Sequence, residues 1–283
     1  MKAVITGVRG QLGFDVVKAF EAAGHVVVPM GREDCDITDL SRVDRCMKEI
    51  QPDVIVHCAA YTAVDLAETE VDKAFEVNTD GARNLAVAAE KVGAKLVYVS
   101  TDYVFDGKGM GRPYQEYDAT NPQGVYGRSK LAGERLIQTL SSKYFIVRTS
   151  WVFGSNGNNF VKTMLKFGRE RGKLKVVNDQ VGSPTYTVDL ARFLLDLAST
   201  EKYGIYHASN TGICSWYDFA KEIFERSGVK VELTPCTTEE FPRPAPRPAY
   251  SAMDHMAIRT NGFALLPPWQ DALERFLTEM GEV

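Results

Sequence analysis

The chain has 283 residues, enough to bury one large core or two unequal ones. Apolar residues make up 45% and charged residues 25%, the balance of an ordinary globular protein. A net charge of −4, no basic tract and no apolar run near the ~20 residues of a membrane span predict no nucleic-acid and no membrane partner.

Five cysteines, Cys35, Cys46, Cys58, Cys214 and Cys236, are scattered and odd in number, as expected of reduced thiols in a cytoplasmic protein. Cys58 lies inside an apolar run and reads as a small core residue. The four histidines have no metal-ligand spacing, and no metal is expected. Met1-Lys2-Ala3-Val4-Ile5 enters a strand-like run at once, leaving no room for a signal peptide.

Residues 2–6 predict a buried strand, followed by Gly7-Val8-Arg9-Gly10-Gln11-Leu12-Gly13 and a helix to about residue 23. A strand, a glycine turn and a helix make a dinucleotide-binding opening, with helix N–H groups facing a pyrophosphate. The spacing is G-x-x-G-x-x-G rather than G-x-G-x-x-G, so its force comes from its place at the first strand-to-helix junction. Gly24 closes the helix and residues 25–30 form the second strand. An acid at that strand's end would suit NAD; here stands Gly31-Arg32, and an arginine there can take the 2′-phosphate of NADP. Ser41-Arg42-Val43-Asp44 reads as a helix start, and residues 54–60 as a third strand ending in small residues that let a cofactor approach.

Helices are predicted at 70–77 and 81–92, then a fourth strand at 95–101 that ends in Ser100 and Thr101. Asp102-Tyr103-Val104-Phe105 opens a long loop to 122. Ligands of doubly wound sheets bind outside the carboxyl ends of the strands. Immediately beyond lies Tyr126-Gly127-Arg128-Ser129-Lys130, a tyrosine and a lysine one turn apart in the first turn of a helix. A phenol titrates near ~10, and an adjacent buried ammonium, helped by a positive cofactor ring, would lower that value toward neutrality. Tyr-x-x-x-Lys is common by chance. Joined to a glycine turn and a hydroxyl-ended strand at one sheet edge, it marks an active site.

Residues 144–152 predict the fifth strand, carrying Arg148-Thr149-Ser150-Trp151 to the same edge; Trp151 is open to a core or a cofactor-covering role. Asn158-Asn159-Phe160 opens a helix to 171, residues 175–179 are strand-like, 187–198 helical and 205–209 a short strand. Ser215-Trp216-Tyr217-Asp218 is a capping signature before a helix at 219–227, and 271–280 is a terminal helix. The prolines of 242–248 forbid helix or central strand and leave a loop bearing Arg243 and Arg247. The fold class is therefore α/β: a Rossmann-type doubly wound parallel sheet with a smaller C-terminal α/β substrate-binding part. The expected division is 1–152 for the NAD(P)-binding half and 153–283 mainly for the substrate half, with the chain free to cross back.

These motifs resemble the extended short-chain dehydrogenases/reductases, and more narrowly the dTDP-4-dehydrorhamnose reductase family, over nearly the whole chain. The likeness rests on Gly10-Gln11-Leu12-Gly13, Ala59-Ala60-Tyr61-Thr62-Ala63-Val64-Asp65, Ser100-Thr101-Asp102-Tyr103-Val104-Phe105, Tyr126 through Glu134, Arg148-Thr149-Ser150-Trp151, Gly157-Asn158-Asn159-Phe160, Asn178-Asp179-Gln180 and Arg247-Pro248. It implies NADPH-dependent reduction of a dTDP-linked 4-keto sugar in surface polysaccharide synthesis, with NADH as an alternative hydride source. By the resemblance Tyr126 gives the proton, Lys130 lowers its pKa and holds the nicotinamide ribose, and Thr101 hydrogen-bonds the same oxygen. Gly10, Gln11 and Leu12 would line the pyrophosphate turn, Asp36 and Ile37 would face the adenine, Ala60 and Thr62 the linking riboses and Trp151 the nicotinamide, with Gly7, Gly13, Arg32, Ala59, Tyr61 and Tyr126 also at the cofactor. Asp102, Tyr103 and Asn159 would meet the sugar, and Arg247 the diphosphate. Some members form homodimers through magnesium held by carboxylates; the corresponding acid here is Asp15, a homodimer is left open and no metal is expected.

Two rival readings remain on these residues. One is a reductase or epimerase of another nucleotide-linked 4-keto sugar; an epimerase would recycle tightly held NAD, against which Gly31-Arg32 argues. The other is a non-catalytic NADP-binding regulatory subunit, which has no need of Thr101, Tyr126 and Lys130 together.

Overall fold

The computed structural model describes residues 1–283. The chain begins with β1 (Lys2–Thr6), α1 (Gln11–Ala22), β2 (Val26–Met30), α2 (Leu40–Ile50) and β3 (Val54–His57). Short helices α3 (Val64–Ala67) and α4 (Val71–Phe75) run through a wide turn at Glu76–Asp80 into α5 (Gly81–Val92), then β4 (Lys95–Thr101), α6 (Val125–Leu140) and β5 (Tyr144–Thr149). The remainder comprises β6 (Val152–Phe153), α7 (Phe160–Arg171), β7 (Lys173–Val177), β8 (Val181–Gly182), β9 (Thr185–Tyr186), α8 (Thr187–Ala198), β10 (Gly204–His207), β11 (Cys214–Ser215), α9 (Trp216–Ser227), β12 (Glu232–Cys236), α10 (Met256–Thr260) and α11 (Trp269–Glu279).

Six parallel strands form the central sheet in the order β10-β5-β4-β3-β1-β2. The direction of winding reverses between β1 and β3, and that switch point opens a crevice at the carboxyl ends. Alternate residues of each strand feed opposite layers. Ala3 and Ile5 join Val54, Val56, Val97 and Phe145 under α1 and α8. Val4 joins Ile55, Leu96, Tyr98 and Ile146 under α2, α5 and α6. Burial on both faces explains why these strands read as unbroken apolar runs rather than alternating ones. A separate core of Phe153, Val161, Leu165, Tyr186, Phe219, Trp269 and Phe276 holds α7, α9 and α11 together beyond the sheet. α8 and β10, which follow that second region's first elements in sequence, return to the sheet. No helix is long and apolar enough to cross a membrane.

Local chemistry shifts several boundaries. α2 is capped by Asp39, whose side chain accepts the Arg42 N–H at 3.1 Å, two residues before the signal at Ser41. β3 stops at His57 because Cys58 and Ala59 turn across the glycine loop: a Cβ on Gly7 would lie 2.6 Å from the Ala59 nitrogen. β5 stops at Thr149, and Trp151 takes a left-handed conformation with φ of 48°. The Ser215–Asp218 capping box forms as the sequence predicts. The N-terminus of α6 has no cap of its own; Glu68 supplies one, its Oε1 accepting the Val125 N–H at 2.8 Å.

Candidate active site

A cleft of about 860 Å³ lies along the carboxyl ends of β1 to β5. Its floor is the glycine turn. Gly7 has a φ of 71°, and a Cβ on Gly13 would stand 2.3 Å from the Gly7 carbonyl oxygen. Only glycine lets the first turn of α1 approach β1 this closely. Gly10 caps α1 with no side-chain hydrogen bond and no acid stands in its first turn, so its N–H groups are left for an anion. The cradle fits the pyrophosphate of a dinucleotide. Gly13→Ala should therefore disrupt the turn, lowering the melting temperature and weakening NADPH binding more than about tenfold. Thermal melts and fluorescence titration with NADPH check this; an unchanged affinity would show that the turn does not hold the pyrophosphate.

Gly7, Gly10, Gln11, Leu12, Gly13, Arg32, Asp36, Ile37, Ala59, Ala60, Tyr61, Thr62, Thr101, Asp102, Tyr103, Tyr126, Lys130 and Trp151 all line this one cleft. Arg32 is exposed and paired with Asp36 at 3.2 Å. Trp151 stacks on Trp216 with ring centroids 3.6 Å apart, so it is both wall and core contact.

Tyr126 and Lys130 occupy the first turns of α6, and Thr101 ends β4. Burial pushes the Tyr126 phenol up to about 12, with contact to Thr101 pulling the other way. Burial thus opposes the lowering expected from the adjacent ammonium and a positive cofactor ring. Burial likewise lowers Lys130 to about 7, so the lysine is itself starved of charge. Its ammonium donates to the Val99 carbonyl at 2.7 Å and stands 3.9 Å over the Tyr98 ring. The Thr101 hydroxyl donates to Asp102 Oδ1 at 3.0 Å and accepts the Tyr103 N–H at 3.2 Å. Asp102 is buried with Oδ2 free of hydrogen bonds, and burial raises its carboxyl to about 6. The Tyr103 ring meets Tyr126 edge-on at 5.6 Å.

Two expected substrate residues lie elsewhere. Asn159 caps α7, accepting the Lys162 N–H at 3.1 Å and donating to Gly154 O and Gln11 Oε1 at 2.8 and 3.0 Å. That leaves Asn158 at the cleft wall. Arg247 lies outside the lining and pairs with Asp65 at 2.8 Å. Asp15 faces inward, is buried, and accepts the Thr187 hydroxyl at 2.5 Å. Sequence reasoning passed over Arg9, which lines the cleft beside Arg32 and pairs with Glu33 at 2.9 Å. Its signal was available: a cation inside the glycine turn.

The family described as RmlD substrate binding domain matches residues 1–282. The spore coat polysaccharide biosynthesis protein SpsK of Bacillus subtilis (strain 168) is 45% identical over 98% of this chain and 97% of its own. A dTDP-4-dehydrorhamnose reductase of Clostridium acetobutylicum ATCC 824 superposes with a TM-score of 0.97 at 47% identity, covering 99% of this chain and 100% of that one. The dTDP-4-dehydrorhamnose reductase of Bacillus anthracis str. Ames, solved in complex with NADP, gives 0.96 at 49% identity over 98% and 99% of the two chains. Full-length agreement in both sequence and fold, around a cleft with the glycine cradle and the Tyr126/Lys130 helix, leaves one conclusion: this chain belongs to the RmlD substrate binding domain family.

Proposed function

We propose that the protein reduces the 4-keto group of dTDP-4-dehydro-L-rhamnose to give dTDP-L-rhamnose, using NADPH, with Tyr126 as proton donor. The observation that carries this reading is the convergence of the Tyr126 phenol, Thr101 and Lys130 at the cleft end of the sheet, beside the glycine cradle. The nicotinamide, when bound, supplies the hydride that reduces C4. Tyr126, protonated at neutral pH, gives its proton to the developing alkoxide oxygen. Lys130 keeps donors free for a ribose hydroxyl, and Trp151 and Tyr103 shield the reacting carbon from water. Asp102, its carboxyl raised to about 6 by burial, lines the same cleft between Thr101 and Tyr103, where it supports the sugar-contact role. The five unpaired thiols suit a cytoplasmic setting.

The test is NADPH consumption with dTDP-4-dehydro-L-rhamnose. Tight NADPH binding with no turnover would sink the assignment and leave another keto sugar or the binding-subunit reading.

Cofactor choice has a local cause. Arg9, Arg32 and Glu33 are solvent-exposed and Asp36 is half-buried, so both ion pairs are worth little and a phosphate dianion can replace the carboxylates at the two guanidiniums. Arg32→Ala should raise KM for NADPH about tenfold, the worth of one charge-assisted hydrogen bond, and leave KM for NADH unchanged. Equal changes for both cofactors would remove Arg32 from the 2′-phosphate site.

A further inference from the structure

Lys130 and Glu134 stand four residues apart on α6, the spacing at which a lysine and a glutamate ordinarily pair on a helix face. Here they do not pair. Glu134 is almost wholly buried and both its oxygens are taken by Arg148 of β5, Oε1 from Nε at 3.1 Å and Oε2 from Nη2 at 2.8 Å. Ser100 of β4 donates a further hydrogen bond to Oε1 at 2.5 Å. Lys130, equally buried, is left with the Val99 carbonyl alone. An ammonium has three donors; besides Val99 this one meets only the face of the Tyr98 ring, 3.9 Å away, and Lys130 lines the cleft with no further acceptor from the chain.

We propose that Arg148 is a positioning residue: by holding both oxygens of Glu134 it withholds the natural helix partner of Lys130 and keeps that ammonium free for the cofactor ribose. The inference rests on the reductase reading only in taking Lys130 as a cofactor ligand. It adds a function for a bidentate ion pair that otherwise looks purely structural. A buried pair of this kind contributes little net stability over an apolar substitute, which is consistent with its being kept for what it does to a neighbour.

Single and double variants separate the two roles. Arg148→Met leaves Glu134 free to turn to Lys130; Glu134→Gln leaves Arg148 without its acid but puts no anion beside Lys130. Both should melt lower, because each strands one partner of a buried pair. They should differ in NADPH binding, read by fluorescence titration well below the melting range. Arg148→Met should raise Kd about tenfold, whereas Glu134→Gln should stay within about threefold of the wild type. Arg148→Met combined with Glu134→Gln should return Kd to within about threefold as well. If Arg148→Met does not fold, Arg148→Lys, a point charge unable to hold both oxygens, should show an intermediate rise that Glu134→Gln again relieves. Equal weakening by the two single variants, or no recovery in the double one, would overturn the proposal and leave a structural pair. Since Kd is read without sugar, a wild type that binds NADPH but reduces no sugar would refute the substrate and leave this test standing.

Discussion

Tyr126→Phe is expected to lower kcat by about 10²–10⁴-fold, the range for losing a general acid, while NADPH binding stays as in the wild type. The substitution removes one oxygen and keeps the ring in its edge-on contact with Tyr103. The size of the effect follows from what else could deliver a proton. Burial holds the phenol at about 12, so at neutral pH the donor is always loaded, and reduction does not need a phenolate beforehand. Thr101, an aliphatic hydroxyl hydrogen-bonded to Asp102, is a far weaker acid than a phenol and cannot substitute. Asp102 is the rival carboxylic acid beside it, raised to about 6 by burial. Steady-state rates with dTDP-4-dehydro-L-rhamnose from pH 5 to pH 9 distinguish the two. A Tyr126→Phe enzyme that loses only a few-fold, with activity falling above pH 6, would transfer the donor role to Asp102.

The parts of this site carried by local sequence were legible. The glycine turn after β1, the hydroxyls ending β4 and the Tyr126/Lys130 helix face are each encoded within a few residues, and parallel strands buried on both faces advertise themselves as apolar runs. The N-cap of α7 at Asn159 shows how the same residue can carry two readings: its position at a helix start was visible, but not that capping would use its side chain up. What sequence could not give is the choice of partner across the fold. Arg247 meets Asp65 from 182 positions away, and Glu68 caps α6 from 57 away. Neither pairing leaves a periodic trace. The opposing effect of burial on the phenol was not legible for a related reason: spacing reports that a lysine is near, whereas burial, which here dominates both groups, is a property of the packed whole. Likewise β10 carries a short apolar run that only the neighbouring edge of β5 identifies as the sixth strand.

Lys130→Met is expected to remove most of the turnover and yet to make the ligand-free protein melt higher at pH 6. In the wild type, burial lowers the ammonium from 10.5 to about 7. Below pH 7 the folded and unfolded chains both carry the charge, and the folded one bears the whole desolvation penalty. Between pH 7 and pH 10 the unfolded chain binds more protons than the folded one, so stability rises with pH. That gain is readable up to about pH 8.5; above it Cys58, raised to about 12 by burial, works in the opposite direction because its unfolded thiol ionises first. Methionine matches the length of the stem without the charge. At pH 6 the variant should gain a few kcal/mol, or about 5–10 °C in melting temperature, and the gap should narrow steadily toward pH 8.5. Against this stand the hydrogen bond to Val99 and the Tyr98 ring 3.9 Å below the ammonium, together worth about 2–4 kcal/mol in a dry site. Melting curves of both proteins at pH 6, 7 and 8.5 decide between them. A variant that melts lower at pH 6 would mean those two contacts outweigh burial, and Lys130 would then be part of what holds the sheet to α6 rather than a charge kept there at the fold's expense.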